Sequence, residues 1–435
     1  MHLGIGAFHR AHQAVYTHKA MAESGGDWMI RGVSLRSDAT RAALAGQDFL
    51  YSNWTRGADA DHADVIASIC DVLSTSHHGA DAIVAAIADP AIRIVTLTIT
   101  EKGYCATSGR TLDFEHADIR TDLSTGAPAS AIGFLVRGLA QRRETGGEPL
   151  TVLSCDNLSA NGQLTRTVVR ELAEATEPAL VPWIEDRVTF PSTMVDRIVP
   201  ATTAADADHF EARFGYRDDA MVLGEPWSQW VIEDAFAGER PHWEVAGAQF
   251  VPDVTPYETA KLRLLNASHS ACAYLGVLAG HEFVHEAIAD PEIRAFVVSL
   301  MDQEVTPTLP ELPGLDGYKA AILERFANAA VPYRTAQVAM DGSQKLPQRL
   351  LPVVAERLNA GHSVALAAEV IGAWCVVIEQ NRELVDPMAD VLRATMAEAG
   401  VDGVLKLSAI FGELGHHAAF AQAVTRSHAQ RSRFP

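Results

Sequence analysis

The chain has 435 residues, with 35 Lys plus Arg against 55 Asp plus Glu and a formal charge of -20 at pH 7. At roughly 150 residues per domain, that length suggests two or three domains, or one large α/β unit followed by a helical one. Hydrophobic residues make up 48% and charged residues 21%, the balance of a packed globular protein rather than a disordered one, and the acidic surplus argues against a nucleic-acid partner.

No apolar run approaches the roughly 18 residues of a membrane helix, and the N-terminus lacks a basic-then-apolar signal pattern. Cys70, Cys105, Cys155, Cys272 and Cys375 are scattered, with no CxxC pair. Neither a disulfide framework nor a structural zinc site is expected, and a reducing cytoplasm is the simplest location.

In chain order, Met1 to His12 reads as the tail of a strand, a Gly-containing turn, and a helix running to about Met21. Met29 to Leu35, Ile92 to Ile99 and Leu150 to Leu153 are short apolar or β-branched runs and read as strands, with a helix from about Thr40 to Ala45. Strands alternating with helical stretches predict a Rossmann-like, doubly wound parallel sheet over residues 1-255. From Pro256 the character changes. Lys261 to Leu278, Pro291 to Gln303, Ala320 to Ala329, Leu351 to Asn359, Ala365 to Gln380 and Pro387 to Ala399 are helical stretches punctuated by Pro and Gly. A mostly α-helical C-terminal domain over 256-435 is expected to carry the catalytic and substrate-binding groups.

Gly4-Ile5-Gly6-Ala7-Phe8-His9-Arg10 lies where the first strand meets a helix. Gly there permits positive φ and close approach of a pyrophosphate to the helix N-terminus. A plain turn is the competing reading, and the third Gly of the usual fingerprint is missing. The second strand ends near Asp38, a carboxylate placed to bind ribose hydroxyls or simply to N-cap the helix after it. Arg36 and Arg41 flank it and would suit a 2′-phosphate; NAD is favoured over NADP.

Glu258, Lys261, Asn266 and His269 fall within one helical segment. In α-helical geometry Asn266 lies about 140° and His269 about 80° from Lys261, so the three can line one polar wall. Burial among leucines would lower the Lys261 pKa and make it a usable base, while Asn266 can donate to a developing oxyanion. His269 can bind a neighbouring hydroxyl, and Glu258 can pair with Lys261 or relay its proton. The competing reading is a surface ion pair beside a satisfied core histidine. Asp156 and Asn157 end the Leu150-Leu153 strand, where open α/β sheets bind ligands, although Asx residues also form plain turns there.

These segments together resemble the polyol-specific long-chain dehydrogenase family, that of mannitol 2-dehydrogenase and fructuronate reductase. The matching pieces are HLGIGAFHRAHQAVYTHKAM, LTITEKGYC, TVLSCDNLSANG, FPSTMVDRIVPA, GEPWSQWVIED, KLRLLNASHS and MDGSQKLPQRLLP, in family order along nearly the whole chain. The resemblance implies metal-independent hydride transfer between a nicotinamide and a small-molecule polyol or sugar acid. It implies Lys261 as general acid/base, Asn266 and Asn157 as oxyanion pair, and His269 and Asp196 as substrate-binding groups. Gly4, Gly6, Phe8, His9 and Arg10 would form the dinucleotide turn, with Asp38 as a further cofactor contact.

TEKGYC, FPSTMVDRIVP and DGSQKLPQR look more like the fructuronate reductase branch, whose substrate is a carboxylate. Lys345 and Arg349 would then supply a counter-charge; the alternative is that both sit on an exposed loop. A D-mannitol or D-arabinitol 2-dehydrogenase is the rival in the same class, and a nucleotide-binding regulatory protein the rival outside it. The chain begins closer to its Gly turn than family members usually do, so the first strand should be short. His77-His78 and His416-His417 read as solvated loop residues, Ser154-Cys155 as no nucleophile, and Trp227, Trp230 and Trp374 as packing. A monomer without nucleic acid, membrane or metal is expected.

Overall fold

The computed structural model describes residues 1–57, 60–380 and 384–431, and the chain divides into two compact units, Met1–Thr255 and Pro256–Pro435. The first is built on six parallel strands: β1 (His2–Leu3), β2 (Ile30–Ser34), β5 (Ile69–Ser74), β6 (Ile94–Leu97), β7 (Leu150–Ser154) and β8 (Val188–Thr189). Their spatial order is β5-β2-β1-β6-β7-β8, so the chain reverses direction across the sheet between β1 and β6. Every residue of β6 and β7 is buried, as expected of parallel strands covered on both faces.

Helices Ala80–Ala88, Ala131–Glu144 and Asn161–Thr176 make the crossovers between β5, β6, β7 and β8. The first two approach so closely that a Cβ on Gly138 would lie 2.4 Å from Ile87. Arg142 holds the same corner. It is 1% exposed, and its guanidinium donates to the carbonyls of Ile87, Asp89, Ile92, Glu148 and Pro149, which closes the ends of two helices and two loops around one charge.

Two three-stranded sheets were not legible as strands. One joins β3 (Tyr51–Arg56), β4 (Asp61–Ile66) and β10 (Val222–Gly224); the other joins β9 (Thr193–Asp196), β11 (Gln229–Glu233) and β12 (Gln249–Val251). Their polar residues are paired inside the unit: the Ser52 N–H donates to Asp218 at 2.5 Å, and the Ser52 hydroxyl meets the Tyr216 hydroxyl at 2.8 Å. The first helix also differs from expectation. It breaks at His12 (φ -125°, ψ -91°) into Ala7–Ala11 and Gln13–Ser24, with the His12 ring drawn to the Gln229 carbonyl at 2.9 Å.

The second unit is helical. Its apolar core runs through Ala267–Ala279 and Ala365–Gln380, where Trp374 and Cys375 are wholly buried, and Ala365–Gln380 packs on Ala418–Arg431. The stretch expected as one helix from Lys261 is interrupted: Lys261–Asn266 is a π-helix, joined to Thr255–Ala260 before it and Ala267–Ala279 after it. A second π segment, Leu300–Val305, places the buried Glu304 so that it accepts the N–H groups of Leu366 and Ala367 at 2.9 and 2.8 Å, capping Ala365–Gln380. Among the described residues no helix is long and apolar enough to cross a membrane.

Replacing Arg142 by Met should strand five backbone acceptors, and the N-terminal unit should lose about 3 kcal/mol or more of stability. Urea unfolding followed by tryptophan fluorescence measures this; a midpoint unchanged from wild type contradicts the assignment.

Candidate active site

A cavity of about 280 Å³ opens at the carboxyl ends of β1, β2 and β6, where the strand order reverses. Its wall includes Gly4 and Gly6, Ser34 to Ser37, Thr40, and Thr98 to Thr100. Gly4 has φ +96°, and a Cβ there would sit 2.1 Å from the Thr98 carbonyl oxygen, so only glycine fits. Gly6 has an ordinary φ of -81° and stands at the start of Ala7–Ala11; its nearest neighbour to a Cβ is 3.8 Å away. What Gly6 contributes is open space on the cavity side rather than an unusual backbone.

Four of the expected cofactor residues are not brought to this cavity. His9 is buried and stacks on His2 with centroids 3.4 Å apart, Arg10 lies over the Tyr51 ring at 5.6 Å, and Phe8 stacks on His12 at 5.2 Å. All three occupy helix faces that turn into the core, because the helix begins its apolar face one residue after the turn. Asp38 is held instead by Arg41, at 2.6 and 2.7 Å, and by the Ser74 hydroxyl, which together keep its carboxyl well below the usual range. Nor does its side chain cap the following helix; Ser37 Oγ accepts the Ala39 N–H at 3.2 Å.

At the end of β7, the Asp156 carboxylate accepts the N–H groups of Ile99 and Thr100 at 3.0 and 2.9 Å and the Tyr104 hydroxyl at 2.7 Å. Burial raises its pKa, and these donors oppose the rise. The result ties the β6 and β7 ends together and sets Asn157 at an exposed strand terminus. Asn161, fully buried, links Asp156 to β9: its amide N–H groups reach the carbonyls of Asp156 (3.0 Å) and Thr193 (2.8 Å), and its oxygen accepts the Thr193 N–H at 2.9 Å. β9 ends at Asp196, 5% exposed, whose carboxylate accepts the Trp227 indole N–H at 3.1 Å. Trp227 thus orients a carboxylate rather than merely packing, whereas Trp230 and Trp374 are core residues.

In the helical unit, Lys261 is 8% exposed and begins the π segment that Asn266 ends. The i→i+5 hydrogen bonding of a π-helix brings residue i+5 over residue i, so Lys261 and Asn266 share a face more closely than α geometry allows. His269 follows one turn on. Its ring stacks on Phe326 with centroids 5.0 Å apart and meets Tyr333 edge-on at 6.0 Å. The Nε2 atom is shielded from solvent and has no hydrogen-bond partner. Burial, then the charges of Arg349, Arg325 and Lys345, push the His269 pKa from 6.5 down to about 3, so the ring is neutral.

Those three cations form the second feature of this region. Arg349 donates to the Asn266 carbonyl at 3.3 Å and to the Ser270 hydroxyl at 3.0 Å, and Lys345 donates to the Val338 carbonyl at 3.2 Å. Both lie on the helix Gly342–Arg349, not on an exposed loop. Burial lowers both pKa values, and the neighbouring Arg349 charge lowers that of Lys345 further. Arg325, from Leu315–Ala327, is 8% exposed and had no signal in the sequence: beside Glu324, in a helix that also carries Asp316 and Lys319, it reads as a surface residue. Glu258 stands three residues before Lys261 on Thr255–Ala260. His77, His78, His416 and His417 are exposed, and burial raises the Cys155 thiol well above its ordinary value, so it is no nucleophile.

Residues 1–245 match the family model of the mannitol dehydrogenase Rossmann domain, and residues 253–431 that of the mannitol dehydrogenase C-terminal domain. The chain is similar to D-mannonate oxidoreductase of Escherichia coli (strain K12), 43% identical over 449 residues, covering 99% of this chain and 92% of the relative. Among solved structures it resembles Pseudomonas fluorescens mannitol 2-dehydrogenase in a ternary complex with NAD and D-mannitol, at 39% identity and a TM-score of 0.83, covering 99% and 90% of the two chains. It also resembles a D-sorbitol dehydrogenase in substrate-free form, at 32% identity and a TM-score of 0.92, covering 100% and 94%.

A histidine depressed from 6.5 to about 3 takes no proton in the fold where the unfolded chain does, so its contribution to stability is full above pH 6.5 and is lost as the pH falls toward 3. Replacing His269 by Asn should flatten the acid side of the stability curve by up to about 1.4 kcal/mol per pH unit. Melting temperatures between about pH 7 and about pH 4.5 report this; equal slopes for variant and wild type would overturn it.

Proposed function

The chain belongs to the mannitol dehydrogenase family and is an oxidoreductase acting on polyols or sugar acids, and from that premise we propose that it is an NAD-dependent fructuronate reductase. The reaction is D-mannonate + NAD⁺ = D-fructuronate + NADH + H⁺. The observation that supports the choice of substrate is the placement of Lys345 and Arg349 on the helix Gly342–Arg349, with Arg349 bonded to Asn266 and Ser270 on either side of His269. A polyol brings no charge to such a place. A sugar-acid carboxylate does, and charge-assisted hydrogen bonds to partly desolvated cations are among the stronger polar contacts available. Similarity to the D-mannonate oxidoreductase of Escherichia coli supports the same choice, while the mannitol-bound Pseudomonas relative keeps a D-mannitol 2-dehydrogenase as the second reading.

The nicotinamide, when bound, supplies or accepts the hydride. Its dinucleotide fits the cavity at the Gly4–Gly6 turn, where the missing side chain of Gly6 leaves room, and Ser34, Arg36, Ser37 and Thr40 offer hydroxyls and a cation. NAD as the cofactor draws support from the NAD complex of the Pseudomonas relative. Lys261 gives a proton to the keto oxygen during reduction and takes it back during oxidation; its burial removes solvation from the ammonium form and eases that exchange. Asn266 donates an amide N–H to the same oxygen, with Asn157 as the second donor of this pair. His269, neutral and with an unpartnered Nε2, binds a substrate hydroxyl, as does the Asp196 carboxylate oriented by Trp227. Lys345 and Arg349 hold the carboxylate, and Glu258 exchanges the Lys261 proton with solvent. The reaction needs no metal in this scheme.

Replacing Lys261 by Met should lower kcat by about 10²- to 10⁴-fold with the fold intact by circular dichroism. Replacing Lys345 or Arg349 by Met should raise KM for fructuronate by about tenfold or more per charge-assisted bond lost, and change mannitol turnover far less. Steady-state kinetics from nicotinamide absorbance, with fructuronate, tagaturonate, fructose and mannitol against both NAD and NADP forms, decides the matter. Efficient mannitol oxidation without mannonate turnover would replace this reading by the second one.

A further inference from the structure

We propose that Cys105, His116 and Asp118 form a binding site for a zinc-class divalent metal on the wall of the cavity facing the Gly4–Gly6 turn. One ligand atom from each residue lies within 4.8 Å of the other two. Cys105 and Asp118 line that cavity directly. The three were invisible as a set in the sequence, because the spacing matches no short metal motif and the loop between them hides their proximity.

A hairpin creates that proximity. The Asp113 N–H donates to the Cys105 carbonyl at 2.8 Å, Ala106 and Leu112 pair as an antiparallel bridge, and the Thr107 N–H donates to the Thr111 carbonyl at 2.8 Å. The His116 N–H then returns to the Asp113 carbonyl at 3.1 Å and starts the helix Ala117–Thr125, whose first turn carries Asp118. Cys105 itself is held at φ +50°, a left-handed conformation that a non-glycine residue adopts at some cost and that here aims it within this loop. The backbone therefore arranges the donors before any ion arrives.

The donor set selects the ion. A thiolate sulfur, an imidazole nitrogen and a carboxylate oxygen suit zinc or cobalt, whereas magnesium and calcium take oxygen ligands. Tetrahedral bonds of about 2.0–2.3 Å give donor separations of about 3.3–3.8 Å, so the side chains have to close in by at most about 1.5 Å. The ion competes with three present interactions: the Asp118 N–H on His116 Nδ1 at 3.2 Å, the solvent-exposed Arg36 on Asp118 at 3.5 Å, and the Cys105 thiol on the Gly103 carbonyl at 3.8 Å. All three are long and weak. Three protein ligands leave a fourth position open. The site is separate from the acid/base chemistry assigned to Lys261 and adds a metal-responsive wall to the cavity.

The full-length chain, stripped with a chelator, is titrated with cobalt(II) and followed by its thiolate-to-cobalt charge-transfer absorption. One ion per chain should bind, with zinc displacing it and the band disappearing. Cys105→Ser should abolish the band, and His116→Asn should weaken binding at least tenfold. Cys70→Ser, which removes the exposed cysteine elsewhere in the unit, should leave the titration unchanged. No charge-transfer band, or a band that survives in Cys105→Ser and vanishes in Cys70→Ser, would overturn the proposal. The readout needs no turnover, so it stands or falls independently of the reductase assignment, and melting curves confirm that each variant is folded.

Discussion

The π turn between Lys261 and Asn266 is the constraint on which the candidate residues of the helical unit depend. An α-helix would spread a residue and its fifth successor over opposite quarters of the cylinder, one on the working face and one against the core. Widening one turn places both on a common face without ending the helix, so the amine and the amide ride on the same rigid element as His269. The cost is a poorer backbone geometry, which is offset by embedding the turn in the apolar core: Leu264 and Leu265 within it are buried, and Ala267–Ala279 continues it through fully buried positions. Pi segments of this kind recur at functional sites because the register shift is otherwise hard to obtain.

Around that turn, charge is arranged to keep one ring uncharged. Arg325, Lys345 and Arg349 each press the His269 equilibrium in the same direction as burial does, so the imidazole remains a neutral donor or acceptor. The lowered pKa of Arg349 registers the loss of solvent, and that of Lys345 both the loss of solvent and the neighbouring Arg349 charge. An arrangement that is electrostatically uncomfortable alone becomes favourable once an anion enters it. Under the proposed reductase reading, that asymmetry would favour a carboxylate-bearing substrate over a neutral polyol at otherwise similar hydroxyl-binding groups.

The sequence made the parallel sheet legible because its central strands are short β-branched runs buried on both faces, Ile94–Leu97 being the clearest. The helical unit was legible for the same reason: Leu351–Asn359 and Ala365–Gln380 fall where their periodicity placed them. The smaller sheets were not. Tyr51–Arg56 carries Ser52 inward and satisfies it with Asp218 and Tyr216, partners distant in sequence, and in Asp61–Ile66 only Ile66 is buried. At the site, segments that resemble a family pointed to Lys261, Asn266 and His269, but the π geometry that relates them has no sequence signature, and helical angles computed for an α-helix misplace them. Phe8, His9, Arg10 and Asp38 show the opposite limit. A turn motif marks where a chain bends, while the side chains flanking it answer to packing and to partners such as Arg41 and Ser74.

Tight and loose ion pairs divide the cavity at the sheet's switch point into fixed and adaptable parts. Asp38 is gripped in two places by Arg41 and once by Ser74, a bidentate geometry that fixes the start of the helix after β2. Arg36 meets Asp118 only at 3.5 Å and keeps 82% of its side chain exposed, so the pair contributes little and its members can be redirected at small cost. An anionic ligand arriving at this wall therefore meets a rigid frame set by Asp38 and Gly4 and one mobile cation. A cation arriving at Asp118 releases that same arginine. Under the metal-site proposal both kinds of ligand would draw on that single weak contact, so each would change the affinity of the wall for the other.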